Sequence, residues 1–203
     1  MTIKPILFNT DMARAILDGR KTCARRAIKP QWEECPHCKY VHNEYIYDKL
    51  TENVYCARCG YPMEPERRSP YQIGDILYVR ETFIQVAAHT FLYKADGNSW
   101  MPEGLHWKPS IHMPKEAARI WLKVTNVRVE RLNEITDKGA EREGAQPDYP
   151  FDYDVDKWPN LEHFKKIWNS TIKKSDIDRY GWDANPWVWA IEFERCEKPE
   201  VVK

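Results

Sequence analysis

Two pairs of cysteines constrain the fold of this chain more than any other feature. Cys35 and Cys38 form the sequence CPHC, Cys56 and Cys59 form CARC, and seventeen residues separate the two pairs. This spacing is typical of zinc sites in which each short turn places two thiolates on the metal. Four sulfur ligands complete a tetrahedral shell and leave no open position. The spacing therefore predicts a structural Zn²⁺ ion.

The segment that carries these cysteines differs from the rest of the chain. Residues 33–69 contain few aliphatic side chains and end in a segment rich in proline and arginine. We predict an inserted zinc-ribbon module at 33–69, within a main domain formed by residues 1–32 and 70–203. A module this small depends on its metal for stability, because it cannot bury enough apolar surface. Its surface is also a candidate docking site for a protein partner.

Composition limits the classes of function. The chain has 203 residues, 42% of them hydrophobic, which suits one domain with an elaboration. Lys plus Arg and Asp plus Glu both number 31, so any affinity for nucleic acid must come from a local patch. The sequence has no signal-like apolar segment and no stretch long enough to span a bilayer. We expect a cytoplasmic protein with no membrane partner.

The pattern of apolar residues predicts an α+β domain in which strands dominate. Pro5 favours an edge strand or a position at the start of a strand, and a change of phase near Asn126 predicts a bulge or bend in the longest strand. Strands are predicted at 3–8, 76–82, 91–96, 118–132 and 185–196, and helices at 11–18, 136–144 and 161–172.

The segment DGRKTCARR, residues 18–26, concentrates positive charge directly after the first predicted helix. Its cations are Arg20, Lys21, Arg25 and Arg26. A solvated turn, an anion-binding edge and a site with a catalytic lysine are all compatible with this pattern. Arginine forks match phosphate geometry, which favours the anion-binding edge.

Four segments in order resemble the ASCH domain, a relative of the PUA fold: ILDGRKTCARR, GDILYVRETF, ITDKGAEREG and NPWVWAIEF. The resemblance covers about residues 3–32 and 70–196 and is closest to ASCH proteins carried by bacteriophages and prophages. It implies a small PUA-like β-barrel with flanking helices, around a cleft that takes RNA or a modified nucleotide. DNA is a possible partner of the same cleft.

The resemblance also implies possible catalysis. Some ASCH proteins are amidohydrolases that remove the acetyl group from acetylcytidine, and others have been assigned ribonuclease activity. The amidohydrolase lysine falls on Lys21 and the glutamate on Glu143, but the threonine falls on Ala24, which has no oxygen. Cys23 and Ser110 are candidate replacements, and Thr22 is preferred because strand alternation places it on the same face as Ala24.

Further ligand contacts are predicted outside the cationic segment. Arg80 lies near the end of the second predicted strand, and a long loop at 96–114 carries Trp107 as a stacking surface together with Ser110 and His112. Three hypotheses follow. The first is a nucleic-acid or modified-nucleotide binding protein, the second a hydrolase acting on a modified nucleoside or RNA, and the third an adaptor that docks a protein through its zinc ribbon.

Overall fold

The computed structural model describes residues 2–31, 34–40, 45–51, 53–63, 69–97, 104–146 and 159–200. The described strands are β1 Ile3–Leu7, β2 Cys23–Ala27, β3 Tyr45–Asp48, β4 Asn53–Cys56, β5 Ile76–Arg80, β6 Phe83–Ala87, β7 Thr90–Tyr93, β8 Trp121–Arg131 and β9 Trp187–Cys196. The described α-helices are α1 Thr10–Leu17, α2 Asp137–Arg142, α3 Pro159–Thr171 and α4 Ile177–Tyr180.

A mixed five-stranded sheet in the order β1-β5-β8-β9-β2 forms the centre of the fold. β1 runs parallel to β5, and the other neighbours are antiparallel. β1 is an edge strand, the first of the two alternatives that Pro5 favoured. The predicted irregularity in the long strand is a register shift between Val124 and Asn126, where β8 pairs with β9. The prediction of an α+β fold is confirmed.

Local capping signals explain where the first two helices begin and end. The Asn9 side chain accepts a hydrogen bond from the Met12 amide at the start of α1, and Gly19 follows the helix with a φ of 76°. The Thr136 hydroxyl accepts from the Gly139 amide at 3.0 Å at the start of α2. Both helices therefore start at the predicted residue types.

The sheet does not close into the predicted barrel in the residues that the structure describes. Its two edge strands, β1 and β2, approach each other without a backbone ladder. The Arg26 guanidinium of β2 instead donates to the Leu7 carbonyl of β1 at 3.0 Å. We call the gap between β1 and β2 the seam. A side chain spans it, where a closed barrel would need the two strands to pair. The result is an open sheet whose edges border a cleft.

Two hairpins lie outside the central sheet. β6 and β7 form one, of which the sequence predicted only the second strand, and residues 94–96 continue as a 3-10 turn. β3 and β4 form the other, inside the cysteine-bearing insertion. The predicted boundaries of that insertion fall close to residues 32–33 and 64–68, which lie outside the described ranges. No helix in the described ranges combines the length and apolar character needed to span a bilayer.

The insertion shares its core with the main sheet. Cys35, Val54 and Cys56 belong to the same buried hydrophobic cluster as Trp189 of β9. The Tyr47 ring of β3 meets the Trp189 ring edge-on, with centroids 5.5 Å apart. Trp187 and Trp189 are both buried, which confirms that the tryptophans of the last strand are core residues.

Candidate functional site

A cleft lies at the seam between the two edge strands, with a volume of about 140 Å³. This is room for roughly ten water molecules. The end of β1, the start of α1 and helix α3 contribute lining residues. The charged lining residues come from β2, from the segment just before it and from the residue that follows α2. The lining residues are Leu7, Phe8, Asn9, Met12, Lys21, Arg25, Arg26, Glu143, Phe164, Ile167, Trp168 and Thr171.

Lys21 is buried and its ammonium group is fully coordinated. Nζ donates to the Cys23 carbonyl at 2.7 Å, to the Glu143 carbonyl at 2.8 Å and to Glu143 Oε2 at 2.7 Å. An ammonium has three protons, so these three acceptors use all of its donors. Burial lowers the pKa of Lys21, and the Glu143 carboxylate offsets part of that effect.

Glu143 lies at the carboxyl end of α2 and bridges two cations of the segment 18–26. Its Oε1 accepts from Arg25 Nη1 at 3.0 Å, while Oε2 holds Lys21. Gly144 makes this approach possible, because a Cβ at that position would lie 2.8 Å from Ala15 Cβ and 3.2 Å from Lys21 Cβ. Lys21 and Glu143, 122 residues apart in sequence, are therefore direct contacts.

An alternating chain of charges continues from Glu143 away from the cleft. Arg25 Nε donates to Glu130 Oε1 at 2.6 Å, Glu130 Oε2 accepts from Arg128, and Arg128 contacts Glu192. Arg142 also pairs with Glu192, at 3.1 Å. Because both Lys21 and Arg25 have carboxylate partners, their charges are largely neutralised inside the protein.

Arg26 differs from its neighbours. Its guanidinium donates to the backbone carbonyls of Leu7 and Arg25 and lies 5.5 Å from the centroid of the Phe8 ring. Within the described residues it has no carboxylate partner. Arg20, by contrast, pairs with Asp18 at 2.9 Å and is not among the residues that line the cleft.

The hydroxyl and thiol candidates lie away from the cleft surface. Thr22 does not line the cleft, and its Oγ1 accepts from Arg142 Nε at 3.3 Å. Ala24 is fully buried in the core opposite Ile191. Burial and the nearby Glu143 carboxylate raise the pKa of the Cys23 thiol to about 11, so it stays protonated at neutral pH.

The predicted contacts of the long loop form a separate group. Arg80 donates to the backbone carbonyls of Met113, at 2.8 Å, and Ile111. It therefore anchors the loop, and neither Arg80 nor Trp107, Ser110 or His112 lines the cleft. Residues 98–103 of the predicted loop lie outside the described ranges.

The sequence did not reveal the apolar walls of the cleft. Phe164 and Trp168 lie one turn apart on α3, a spacing that equally suits a helix packed on a core. Both are in fact buried in a cluster beneath the helix while still bordering the cleft. Thr171, one turn further on, is the hydroxyl that lines the cleft, and it donates to the Trp168 carbonyl at 2.7 Å.

The four predicted metal ligands converge on one point. Their sulfur atoms all lie within 4.8 Å of one another, with 3.7 Å between Cys35 and Cys59 Sγ and 3.8 Å between Cys38 and Cys56 Sγ. Cys35 and Cys56 are buried, Cys38 is partly exposed and Cys59 is exposed. The cluster can hold a metal ion with four sulfur ligands.

Comparison of the chain with protein-family models, with curated proteins and with solved structures finds no match. The resemblance to the ASCH domain therefore stays a prediction, and the function must be argued from the cleft and the cysteine cluster themselves.

Proposed function

We propose that the protein binds a nucleotide unit, either within RNA or as a modified nucleotide, in the cleft between β1 and β2. One observation carries the proposal: aromatic walls and a guanidinium without a carboxylate partner in the described residues line the same cavity. Phe8, Phe164 and Trp168 are largely buried but contribute aromatic atoms to the lining of the cleft, and a base would pack against them. DNA would meet the same groups but would lack the 2′-hydroxyl.

Arg26 is the residue we assign to the phosphate. Lys21 and Arg25 are already paired with Glu143 and Glu130, and Lys21 has no donor left for a ligand. In the described part of the chain the Arg26 guanidinium donates to backbone carbonyls and lies over the Phe8 ring, with no carboxylate partner, so its charge is available to an anion in the cleft.

Calorimetric titration with matched pairs of nucleosides and nucleoside 5′-monophosphates tests this assignment. Arg26→Ala should weaken binding of the monophosphate about tenfold, since one charge-assisted hydrogen bond is worth about 1.5 kcal/mol or more, and should leave nucleoside binding nearly unchanged. Arg20→Ala is the matched control, because it removes a cation of the same segment outside the cleft. Equal effects of the two substitutions would rule out the assignment.

We further propose that the cysteine cluster holds Zn²⁺ as a structural ion. Zn–S bonds of about 2.3 Å in a tetrahedron give sulfur–sulfur distances of about 3.8 Å, and the distances of 3.7 and 3.8 Å support that geometry. Native mass spectrometry should find one zinc per chain, lost in Cys56→Ser. A purified chain that retains no zinc from a zinc-supplemented culture would contradict the assignment.

A hydrolase acting on a modified nucleoside is the second candidate, because of the contact between Lys21 and Glu143 in the cleft. A buried lysine of lowered pKa beside a carboxylate can move a proton to and from a reacting group. Since Thr22 does not line the cleft and Ala24 has no oxygen, water is the better nucleophile for such a reaction.

Turnover of N4-acetylcytidine, followed by chromatography, separates the two candidates. Glu143→Gln should abolish turnover, whereas Glu130→Gln, which alters the other carboxylate bound to Arg25, should retain most of it. Circular dichroism checks that both variants are folded. If the wild-type protein binds the nucleoside without turnover, the hydrolase candidate falls and the binding proposal stands.

A further inference from the structure

The two cysteine turns are repeats of one structure. CPHCKY at 35–40 and CARCGY at 56–61 share the pattern C-x-x-C-x-Y. Their backbones make the same hydrogen bonds: the first cysteine amide donates to the tyrosine carbonyl, and the amide of the fifth residue donates to the first cysteine carbonyl. All four distances, for Cys35–Tyr40, Cys56–Tyr61, Lys39–Cys35 and Gly60–Cys56, are 2.9 Å.

Side chains of the two turns pair crosswise. The His37 ring of the first turn stacks on the Tyr61 ring of the second, with centroids 5.1 Å apart and planes 7° from parallel. The Arg58 guanidinium of the second turn lies 4.9 Å from the centroid of the Tyr40 ring of the first. We call the surface formed by His37, Lys39, Tyr40, Arg58 and Tyr61 the knuckle face.

The knuckle face combines exposed aromatic rings with exposed cations. Tyr40 is 37% exposed and Tyr61 is 40% exposed, and His37, Lys39 and Arg58 are also exposed. The nearest described carboxylate is that of Glu34, 3.4 Å from Lys39 Nζ, with both side chains more than half exposed. A pair this exposed is weak and can exchange its carboxylate for a phosphate.

The backbone at Lys39 points to a role for its charge. Lys39 has a φ of 55°, in the left-handed region, where its counterpart Gly60 has a φ of 68°. Glycine adopts this conformation without strain and lysine does not. A lysine at this position therefore costs stability and adds an exposed cation to the turn, and strain of this kind concentrates at functional positions.

We propose that the knuckle face binds single-stranded nucleic acid, independently of the cleft. Unpaired bases stack on the exposed rings, and Lys39 and Arg58 contact the phosphates. A duplex is excluded because its bases are already stacked and paired. Together with the cleft, this surface makes a polynucleotide, more than a free nucleotide, the expected ligand.

Fluorescence anisotropy of a labelled twelve-residue oligouridylate, with the zinc-loaded full-length chain, tests the proposal. Arg58→Ser and Lys39→Gly should each weaken binding about five- to tenfold, and each should lower the slope of log K against log salt by roughly 0.7. Lys49→Ser is the charge-matched control, because Lys49 is exposed in the turn at the end of the β3–β4 hairpin remote from Cys56. It should change binding less than twofold.

Lys39→Gly separates loss of contact from loss of fold. This substitution relieves the backbone strain at position 39. If the variant binds zinc at least as tightly as the wild type but binds the oligonucleotide more weakly, the loss must come from the missing cation. Oligonucleotide binding that is unchanged in Lys39→Gly and Arg58→Ser overturns the proposal and leaves the face to a protein partner. If Arg26→Ala alone weakens oligonucleotide binding, the knuckle-face proposal fails while the proposed function of the cleft stands.

Discussion

At the scale of the residue, Lys21 illustrates how a buried cation can have all of its hydrogen-bond donors satisfied by protein groups. Burial disfavours its charged form, and the adjacent Glu143 carboxylate favours it. We expect the pKa of Lys21, measured from the pH titration of its ¹³Cε resonance, to lie below the ordinary value of 10.5. In Glu143→Gln it should fall further, because the opposing charge is removed.

Glu130→Gln is the control for this measurement, since Glu130 pairs with Arg25 and Arg128 and does not contact Lys21. It should move the titration of Lys21 much less than Glu143→Gln does. A Lys21 pKa that rises in Glu143→Gln would show that the carboxylate does not stabilise the ammonium.

Lys39 offers a second prediction for a single residue. A residue other than glycine in the left-handed region costs about 1–2 kcal/mol of stability. Glycine removes this strain but lowers stability by about 0.4–1 kcal/mol, because it increases the entropy of the unfolded chain. Lys39→Gly should therefore stabilise the metal-loaded insertion by about 0.5 kcal/mol, since metal binding and folding are coupled in modules of this kind. Competition with a chromophoric chelator should show about twofold tighter zinc binding, and Gly60→Lys should show the reverse.

At the scale of the element, Asp75 fixes the edge strand β1. Its carboxylate accepts hydrogen bonds from the Thr2 amide and hydroxyl and from the Gln72 amide, and it pairs with Lys4 at 2.8 Å. Burial alone would raise the pKa of Asp75, but the Lys4 ion pair and these hydrogen bonds outweigh it and hold the pKa at about 2. The charged carboxylate therefore ties β1 to the turn before β5.

The sign of the resulting pH dependence follows from the lowered pKa. The stabilisation by Asp75 is complete above the unfolded pKa near 4 and is lost as the pH falls towards 2. Urea unfolding should show Asp75→Asn to be less stable than the wild type by about 2 kcal/mol at pH 7, with the difference shrinking below pH 4. Asp18→Asn, which removes an exposed partner of Arg20, should change stability little at any pH. An equal pH dependence in wild type and Asp75→Asn would contradict this account.

Elements whose signals are local could be predicted from the sequence. The caps at Asn9 and Thr136, the edge position of Pro5 and the irregularity near Asn126 each depend on residue type or on a short pattern. The seam between β1 and β2 could not be predicted, because it depends on how strands distant in sequence pair and on a side chain, Arg26, that spans them. The α3 wall of the cleft was missed for a related reason, since its apolar stripe also packs on the core.

At the scale of the whole molecule, the cysteine-bearing insertion and the main sheet share one buried core. The sequence predicted a module with its own stabilising ion, and the convergence of the four sulfurs agrees with a metal site. Cysteine spacing cannot reveal what the module packs against. That contact is made by Tyr47 and Trp189, which lie far apart in the sequence. The shared cluster implies that metal binding stabilises the sheet as well as the insertion.

This coupling gives the last prediction. Removal of the metal with a chelator should lower the free energy of unfolding of the whole chain, because the insertion no longer covers Trp189 when its turns unfold.

Tyr47→Ala should destabilise the metal-loaded chain by about 1 kcal/mol and should reduce the further loss on chelation, since both changes remove the same contact. Ile46→Ala, at an exposed position of the same strand, should leave the chelation effect intact. Urea unfolding followed by tryptophan fluorescence makes the measurement. If the unfolding midpoint of the sheet is the same with and without chelator, the insertion and the sheet fold independently and the shared core does not couple them.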